Sequence, residues 1–132
     1  MIVLDASAAV DFLLAIGASD RIERRVSLPD ETLHAPHLLD VEVARALRRL
    51  TLRGDVTASR AADALDDLAD LRVTRYPHGP LLRRAWQLRP SVSMFDAVYI
   101  ALAEALEAAL ITSDAKLARS PGHSATVEVY GS

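Results

Sequence analysis

Four short strand-like runs, separated by longer stretches of helical periodicity, constrain this chain more than any other feature. They are the apolar Met1–Asp5 and Ala109–Thr112 and the more mixed Thr32–Ala35 and Arg72–Tyr76. Runs this short read as buried strands, and strands joined through helices read as parallel neighbours, because parallel pairing needs a crossover connection. Between them the pattern predicts helices over Ser7–Ile16, closed by Gly17, and over Ser19–Ser27. Further helices are predicted from Pro36 to Arg53, Val56 to Leu68, Gly79 to Leu88, Ser93 to Ala108 and Ser113 to Arg119, and an alternating edge strand over Thr126–Tyr130. The expected fold is α/β: a central, mostly parallel sheet of four or five strands with helices on both faces, in three layers. A chain of 132 residues, 51% of them hydrophobic and without internal repeat or linker, suits one domain over residues 1–132.

Composition removes several kinds of chemistry. With no cysteine there is no disulfide framework, thiolate nucleophile or Cys-based zinc or iron–sulfur site, and the expected compartment is the reducing cytoplasm. No apolar run approaches the roughly 18 to 20 residues that span a bilayer, and Asp5 and Asp11 interrupt the N-terminal stretch. The net charge of −3 argues mildly against a nucleic-acid partner. However, the basic residues are all arginine except Lys116, and they cluster, notably at Arg45, Arg48, Arg49 and Arg53. Arginine suits bidentate phosphate contact, while GC-rich coding accounts for the same bias without function.

In a parallel sheet, ligands sit at the carboxyl ends of the strands. The polar residues just beyond the runs are Asp5 and Ser7, the His34–Glu42 segment, and Thr112, Ser113 and Asp114. Each acid has a plain alternative. Asp5 and Ser7 could cap the following helix. Glu42 borders the apolar stripe of its helix and could pair with Arg45 on the surface. Asp96 stands in a strongly apolar helix, where a carboxylate needs a partner, yet Ser93 and Asp96 also match a capping box. Thr112-Ser113-Asp114 is equally a helix start.

Taken together, the four acids would converge at one end of one sheet. Such a cluster is destabilising unless a divalent cation neutralises it, and hard oxygen ligands select magnesium or manganese, one or two ions. Phosphoryl chemistry is a dominant use of such a centre, because the ions activate water and stabilise phosphate oxyanions. Without those four acids, 14 acidic residues face 15 basic ones, which is compatible with a polyanionic substrate.

Four segments carry a resemblance. They are I-V-L-D-A-S-A from Ile2 to Ala8, P-x-L-L-x-V-E-V-x-x-A-L from Pro36 to Leu47, S-x-x-D-A-V-Y-I-A-L-A-E-A-L from Ser93 to Leu106, and L-I-T-S-D-A-K-L from Leu110 to Leu117. In this order and spacing, across nearly the whole chain, they resemble the PIN-domain ribonucleases, and among them the small VapC-type toxins of bacterial toxin–antitoxin modules. The resemblance implies a PIN-like fold and a metal-dependent endoribonuclease in which Asp5, Glu42, Asp96 and Asp114 hold Mg2+ or Mn2+. By the same resemblance Ser7 and Thr112 are supporting hydroxyls, and cleavage leaves a 3′-hydroxyl and a 5′-phosphate. It further implies a homodimer restrained by a cognate antitoxin. Arg45, Arg49 and Lys116 are candidate RNA contacts.

Two departures stand out: Arg45 where many relatives have asparagine, and Lys116 beyond Asp114 where some have another acid. They bear on the geometry around the acids, and on whether one ion is held tightly while a second arrives with substrate. Rival chemistries are a His34/His37 acid–base pair and a Ser7 or Ser113 nucleophile, which lacks a glycine-flanked elbow. A phospho-acceptor receiver domain wants paired acids after its first strand, where Asp5 stands alone. A degenerate PIN fold that only binds RNA or protein, and a housekeeping nuclease without an antitoxin, complete the alternatives. Trp86, with Leu82 and Leu88, reads as core or dimer interface.

Overall fold

A computed structural model describes residues 1–131. Its elements alternate as the apolar runs require: β1 (Ile2–Leu4), α1 (Ala6–Leu14), α2 (Ser19–Val26), β2 (Leu33–Pro36), α3 (Leu38–Leu52), α4 (Ala58–Asp70), β3 (Val73–Tyr76), α5 (Leu82–Gln87), α6 (Met94–Leu106), β4 (Ala109–Thr112), α7 (Ala115–Ala118) and β5 (Val127–Val129). A single 3-10 turn, Gly79–Leu81, leads into α5. All four strand pairings are parallel, in the order β3-β2-β1-β4-β5.

That order has a direct consequence for function. The chain moves outward from β1 to β2 and β3, then returns across the sheet to β4 on the other side of β1 and continues to β5. The direction of winding therefore reverses between β1 and β4, where the flanking helices diverge and open a crevice at the strand ends. Right-handed crossovers place α1 to α4 on one face and α5 to α7 on the other. The packing agrees: α1 contacts α2, α3 and α4, while α6 contacts α5 and the strands β1, β2 and β4.

The core is the central strands and the elements that clamp them. Ile2, Val3, Leu110 and Ile111 are fully buried, as are Leu39 and Val43 of α3. From Ala97 to Ala103 every residue of α6 is buried, because this helix lies between the sheet and α5. Among the described residues no helix is long and apolar enough to cross a membrane.

Several boundaries differ from the sequence reading for identifiable reasons. Pro36 ends β2 and does not open α3; its backbone pairs in register with Tyr76, and His37 donates its N–H to the Tyr76 carbonyl at 2.8 Å. Helix α1 stops at Leu14 with Ala15 in the left-handed conformation (φ 55°), ahead of Gly17. The expected helix from Gly79 divides into the 3-10 turn and α5. Trp86 is no core residue: it is 57% exposed and lies under the Arg89 guanidinium, 4.5 Å from the ring centre.

Candidate functional site

Asp5 follows β1 directly and is the N-cap of α1, its Oδ1 accepting the Ala8 N–H at 3.0 Å. The same oxygen accepts the Ser7 hydroxyl at 2.7 Å. Ser7 Oγ in turn accepts the Ser113 N–H at 3.0 Å and lies 3.2 Å from Thr112 Oγ1. Because a serine hydroxyl has one proton, and that proton goes to Asp5, the Thr112 hydroxyl must be the donor in the last contact. Thr112 Oγ1 also accepts the Asp114 N–H at 3.0 Å. One continuous network thus ties the end of β1 to the end of β4 across the crevice. The capping role of Asp5 and its place at the strand end hold together, so the two sequence readings of that residue are not alternatives.

The other acids come from helices of opposite layers. Glu42 lies one turn into α3, and Asp96 is in the first turn of α6, whose N-cap Ser93 accepts the Asp96 N–H at 3.2 Å. Asp114 caps α7, accepting the Lys116 N–H at 2.9 Å. The carboxylates sense one another. Burial pushes Asp5 up to about 6, against the lowering effect of Ala8, Thr112 and Ser7, and the Asp96 charge adds to the rise. Glu42 is raised first by burial and then by Asp96, while Arg45 and Tyr99 oppose the shift. Asp96 is raised by burial and by Asp114. Asp96 is thus the common neighbour of the other three. Among the described residues no three acidic or histidine side chains meet in a ready-made metal-binding group.

Beside the acids a cavity of about 380 Å³ runs between α1 and α3, with Val10 and Leu50 among its apolar lining and Ser7, Glu42, Arg45, Arg49 and Ser113 around it. Neither Arg45 nor Arg49 belongs to any ion pair of the described residues, whereas Arg25, Arg53, Arg75 and Arg84 all do. Lys116 is exposed on α7, two residues past Asp114.

The rival nucleophiles and bases are occupied elsewhere. Buried His34 lies between Thr32 Oγ1, 2.8 Å from its Nε2, and the Tyr76 hydroxyl, 2.7 Å from its Nδ1. The exposed His37 packs edge-on against His78. The Ser7 hydroxyl is committed to Asp5, and that of Ser113 donates to Asp11 Oδ2 at 2.8 Å. Asp11 and Tyr99 are the residues at the site that the sequence reading left without a role. Helical spacing was the available signal, since Asp11 follows Ser7 by four residues and Tyr99 follows Asp96 by three.

Comparison with known proteins places the chain in a family. The PIN domain family model matches residues 2–122. The chain belongs to the PIN-domain family. Among curated PIN-domain relatives, it is 47% identical over 121 residues to Ribonuclease VapC1 of Mycobacterium tuberculosis, covering 91% of this chain and 90% of that one. It is 43% identical over 129 residues to Ribonuclease VapC12 of the same organism, covering 98% of both. Among solved structures it shares the fold of VapBC2 from Rickettsia felis, described bound to a DNA fragment from its promoter, at a TM-score of 0.72. That match has 16% identity and covers 98% of this chain and 99% of that one. The PIN fold expected from the four sequence segments is therefore the fold observed.

Proposed function

We propose that this PIN-domain protein is an endoribonuclease of the VapC kind, the toxin of a toxin–antitoxin module, acting as one domain over residues 1–132. The ribonuclease activity rests on relatives named as ribonucleases at 43 to 47% identity over nearly the full chain. What supports the chemistry is that Asp96 acts electrostatically on Asp5 and Glu42 and is acted on by Asp114, at the end of the sheet where its winding reverses.

The donor set fits a hard divalent cation. All four side chains offer carboxylate oxygens, hydroxyls surround them, and no cysteine competes. Burial raises Asp5, Glu42 and Asp96, and the charge of a neighbouring acid adds to each rise, so a bound cation would favour their ionised forms. Asp5, Glu42, Asp96 and Asp114 would hold one or two Mg2+ or Mn2+ ions. Bound there, a cation would supply Lewis acidity toward the phosphate and would make the attacking water easier to deprotonate. The protein's own part is to fix the carboxylates: Ser7, itself held by Thr112, donates to Asp5, and Ser93 at the start of α6 partly offsets the burial that raises Asp96. Arg45, Arg49 and Lys116 bind the RNA phosphates on either side of the scissile bond. Attack of water on phosphorus with breakage of the P–O3′ bond, the departing 3′ oxygen taking up a proton, would leave a 3′-hydroxyl and a 5′-phosphate.

The partners follow from the same kinship: an RNA substrate in the cytoplasm, a cognate antitoxin, and a second copy of this chain. Large apolar side chains such as Val41, Trp86 and Phe95, all more than half exposed, are available to such protein contacts.

The test is cleavage of end-labelled total RNA by purified protein with Mg2+ or Mn2+, against EDTA and against Asp96→Asn. Discrete fragments that need both the metal and the intact carboxylate support the reading. Cleavage that survives EDTA and Asp96→Asn overturns the four-acid site, and no cleavage by folded, metal-loaded, antitoxin-free protein favours a binding module.

A further inference from the structure

Tyr99 is among the largest fully buried side chains of the protein, only 2% exposed, and its hydroxyl is enclosed without closing a hydrogen bond. Phenylalanine would fill the same core volume without enclosing a polar group, so packing alone does not account for the hydroxyl. Its surroundings do. Tyr99 projects from α6 on the face of Asp96, and the charges acting on it are those of Glu42, Asp5 and Asp96, with Glu42 foremost. The neutral phenol is a hydrogen-bond donor.

The three acids are not equally supplied with donors. Asp5 Oδ1 already accepts from Ser7 and Ala8, and Asp96 lies beside the Ser93 hydroxyl. Glu42 has the Tyr99 hydroxyl as its neighbouring side-chain donor, with Arg45 acting on it through charge. The core therefore sets a buried donor that closes no hydrogen bond beside a half-buried carboxylate able to accept it. The two stand on α6 and α3, helices of opposite layers, and catalytic hydrogen bonds of this kind are often long in the free protein and tighten on ligand binding.

From this pairing we infer that Tyr99 is a positioning residue for Glu42: its O–H donates to one carboxylate oxygen and leaves the other turned toward Asp5, Asp96 and Asp114. The role rests on the reading of the four acids as a cation site. It also makes the spacing of α3 and α6 part of the site, since the hydrogen bond closes only when both layers are seated on the sheet.

The test is Mn2+ titration followed by electron paramagnetic resonance on wild type, Tyr99→Phe, Glu42→Ala and the double variant, with thermal unfolding of each without metal. Tyr99→Phe is expected to weaken Mn2+ binding about tenfold, the size of effect typical of a residue that orients a ligand. Its metal-free melting temperature should hold or rise, because an enclosed hydroxyl is removed. On the Glu42→Ala background the same change should cost no further affinity. Unchanged affinity in Tyr99→Phe, or an equal loss on both backgrounds, overturns the role while leaving the cation site standing. Wild-type protein that binds no Mn2+ overturns the cation site and the role with it. A second measurement that keeps the Tyr99 hydroxyl uses 3-fluorotyrosine labelling: the Tyr99 fluorine resonance, assigned by its loss in Tyr99→Phe, should shift on Mg2+ addition in otherwise wild-type protein and stay fixed in Glu42→Ala. A resonance indifferent to Mg2+ in wild type that binds the ion also overturns the role.

Discussion

The Ser7 hydroxyl donates to Asp5 Oδ1 at 2.7 Å while accepting the Ser113 N–H at 3.0 Å, so one atom joins the end of β1 to the residue after β4. Removing it leaves the Ser113 amide without that acceptor and frees the Asp5 carboxylate to rotate. Ser7→Ala is expected to cut RNA cleavage by about 10- to 100-fold, the range for losing a group that orients a metal ligand. Steady-state cleavage of a defined RNA, with circular dichroism as the fold control, checks this. Full activity in a folded variant would mean that Asp5 is held well enough by Ala8 and Thr112 alone.

Asp5 couples function to instability. Burial raises its pKa to about 6 from the ordinary 3.8, so between those pH values the folded protein retains a proton that the unfolded chain has released. Metal-free stability must therefore fall as pH rises through this window, by up to about 3 kcal/mol, and level off above it. Glu42 and Asp96, also raised, act in the same direction. Glu31, Glu104 and Glu128 are held below their ordinary values, so their opposite effect enters only below about 4.5. Urea midpoints of metal-free protein are expected to be higher at pH 5 than at pH 7. Asp5→Asn should reduce that difference, raise the melting temperature at pH 7 by several degrees, and abolish cleavage. An unchanged pH profile in Asp5→Asn would show that the buried charge is compensated by other means.

How far the sequence carried the argument depends on range. Strand and helix order and the parallel sheet follow from local pattern, because runs of about four residues are too short for buried helices. Asp5 and Asp114 follow strands closely, whereas Glu42 and Asp96 stand in helices of opposite layers that only the fold brings to the strand ends. Boundaries set by tertiary pairing were not legible. Pro36 looks like a helix opener until β3 is seen beside it, since its lost donor matters only if a neighbour needs it. Gly17 looks like the helix stop, yet Ala15 takes the left-handed position. Gly17 then sits where a Cβ would lie 2.9 Å from Asp11 Oδ2, the oxygen that accepts the Ser113 hydroxyl. Tyr99 was visible as a polar interruption of an apolar helix, but its orphaned hydroxyl is a property of packing between layers that one strand of text does not contain.

Arg45 and Arg49, beside the acids and without ion-pair partners, are predicted to act through phosphate. Each phosphate neutralised contributes a slope of about −0.7 to log K against log salt for single-stranded nucleic acid. With Asp96→Asn as the non-cleaving background, Arg45→Ala plus Arg49→Ala is expected to flatten the slope by about 1.4, and Lys116→Ala by about 0.7. Fluorescence anisotropy of a labelled single-stranded RNA over a salt series measures both. Slopes unchanged from the parent would remove these residues from the RNA path.

Glu104 offers a control that separates fold from site. On α6 it accepts the Arg84 guanidinium at 2.7 and 3.0 Å, and the Ser124 N–H and hydroxyl at 2.9 and 3.1 Å, joining α5, α6 and the segment before β5. These donors hold its pKa at about 2, Arg84 contributing most. A depressed carboxylate stabilises the fold above its unfolded value and loses that contribution as pH falls, opposite in sign to Asp5. Glu104→Gln keeps the volume but weakens charge-assisted bonds, and is expected to cost about 1–3 kcal/mol in urea unfolding at pH 7. Because Glu104 lies more than two turns along α6 from Asp96, cleavage per folded molecule should be unchanged. A variant that unfolds normally yet cleaves poorly would mean that the position of α6, and with it Asp96 and Tyr99, is set from its C-terminal end.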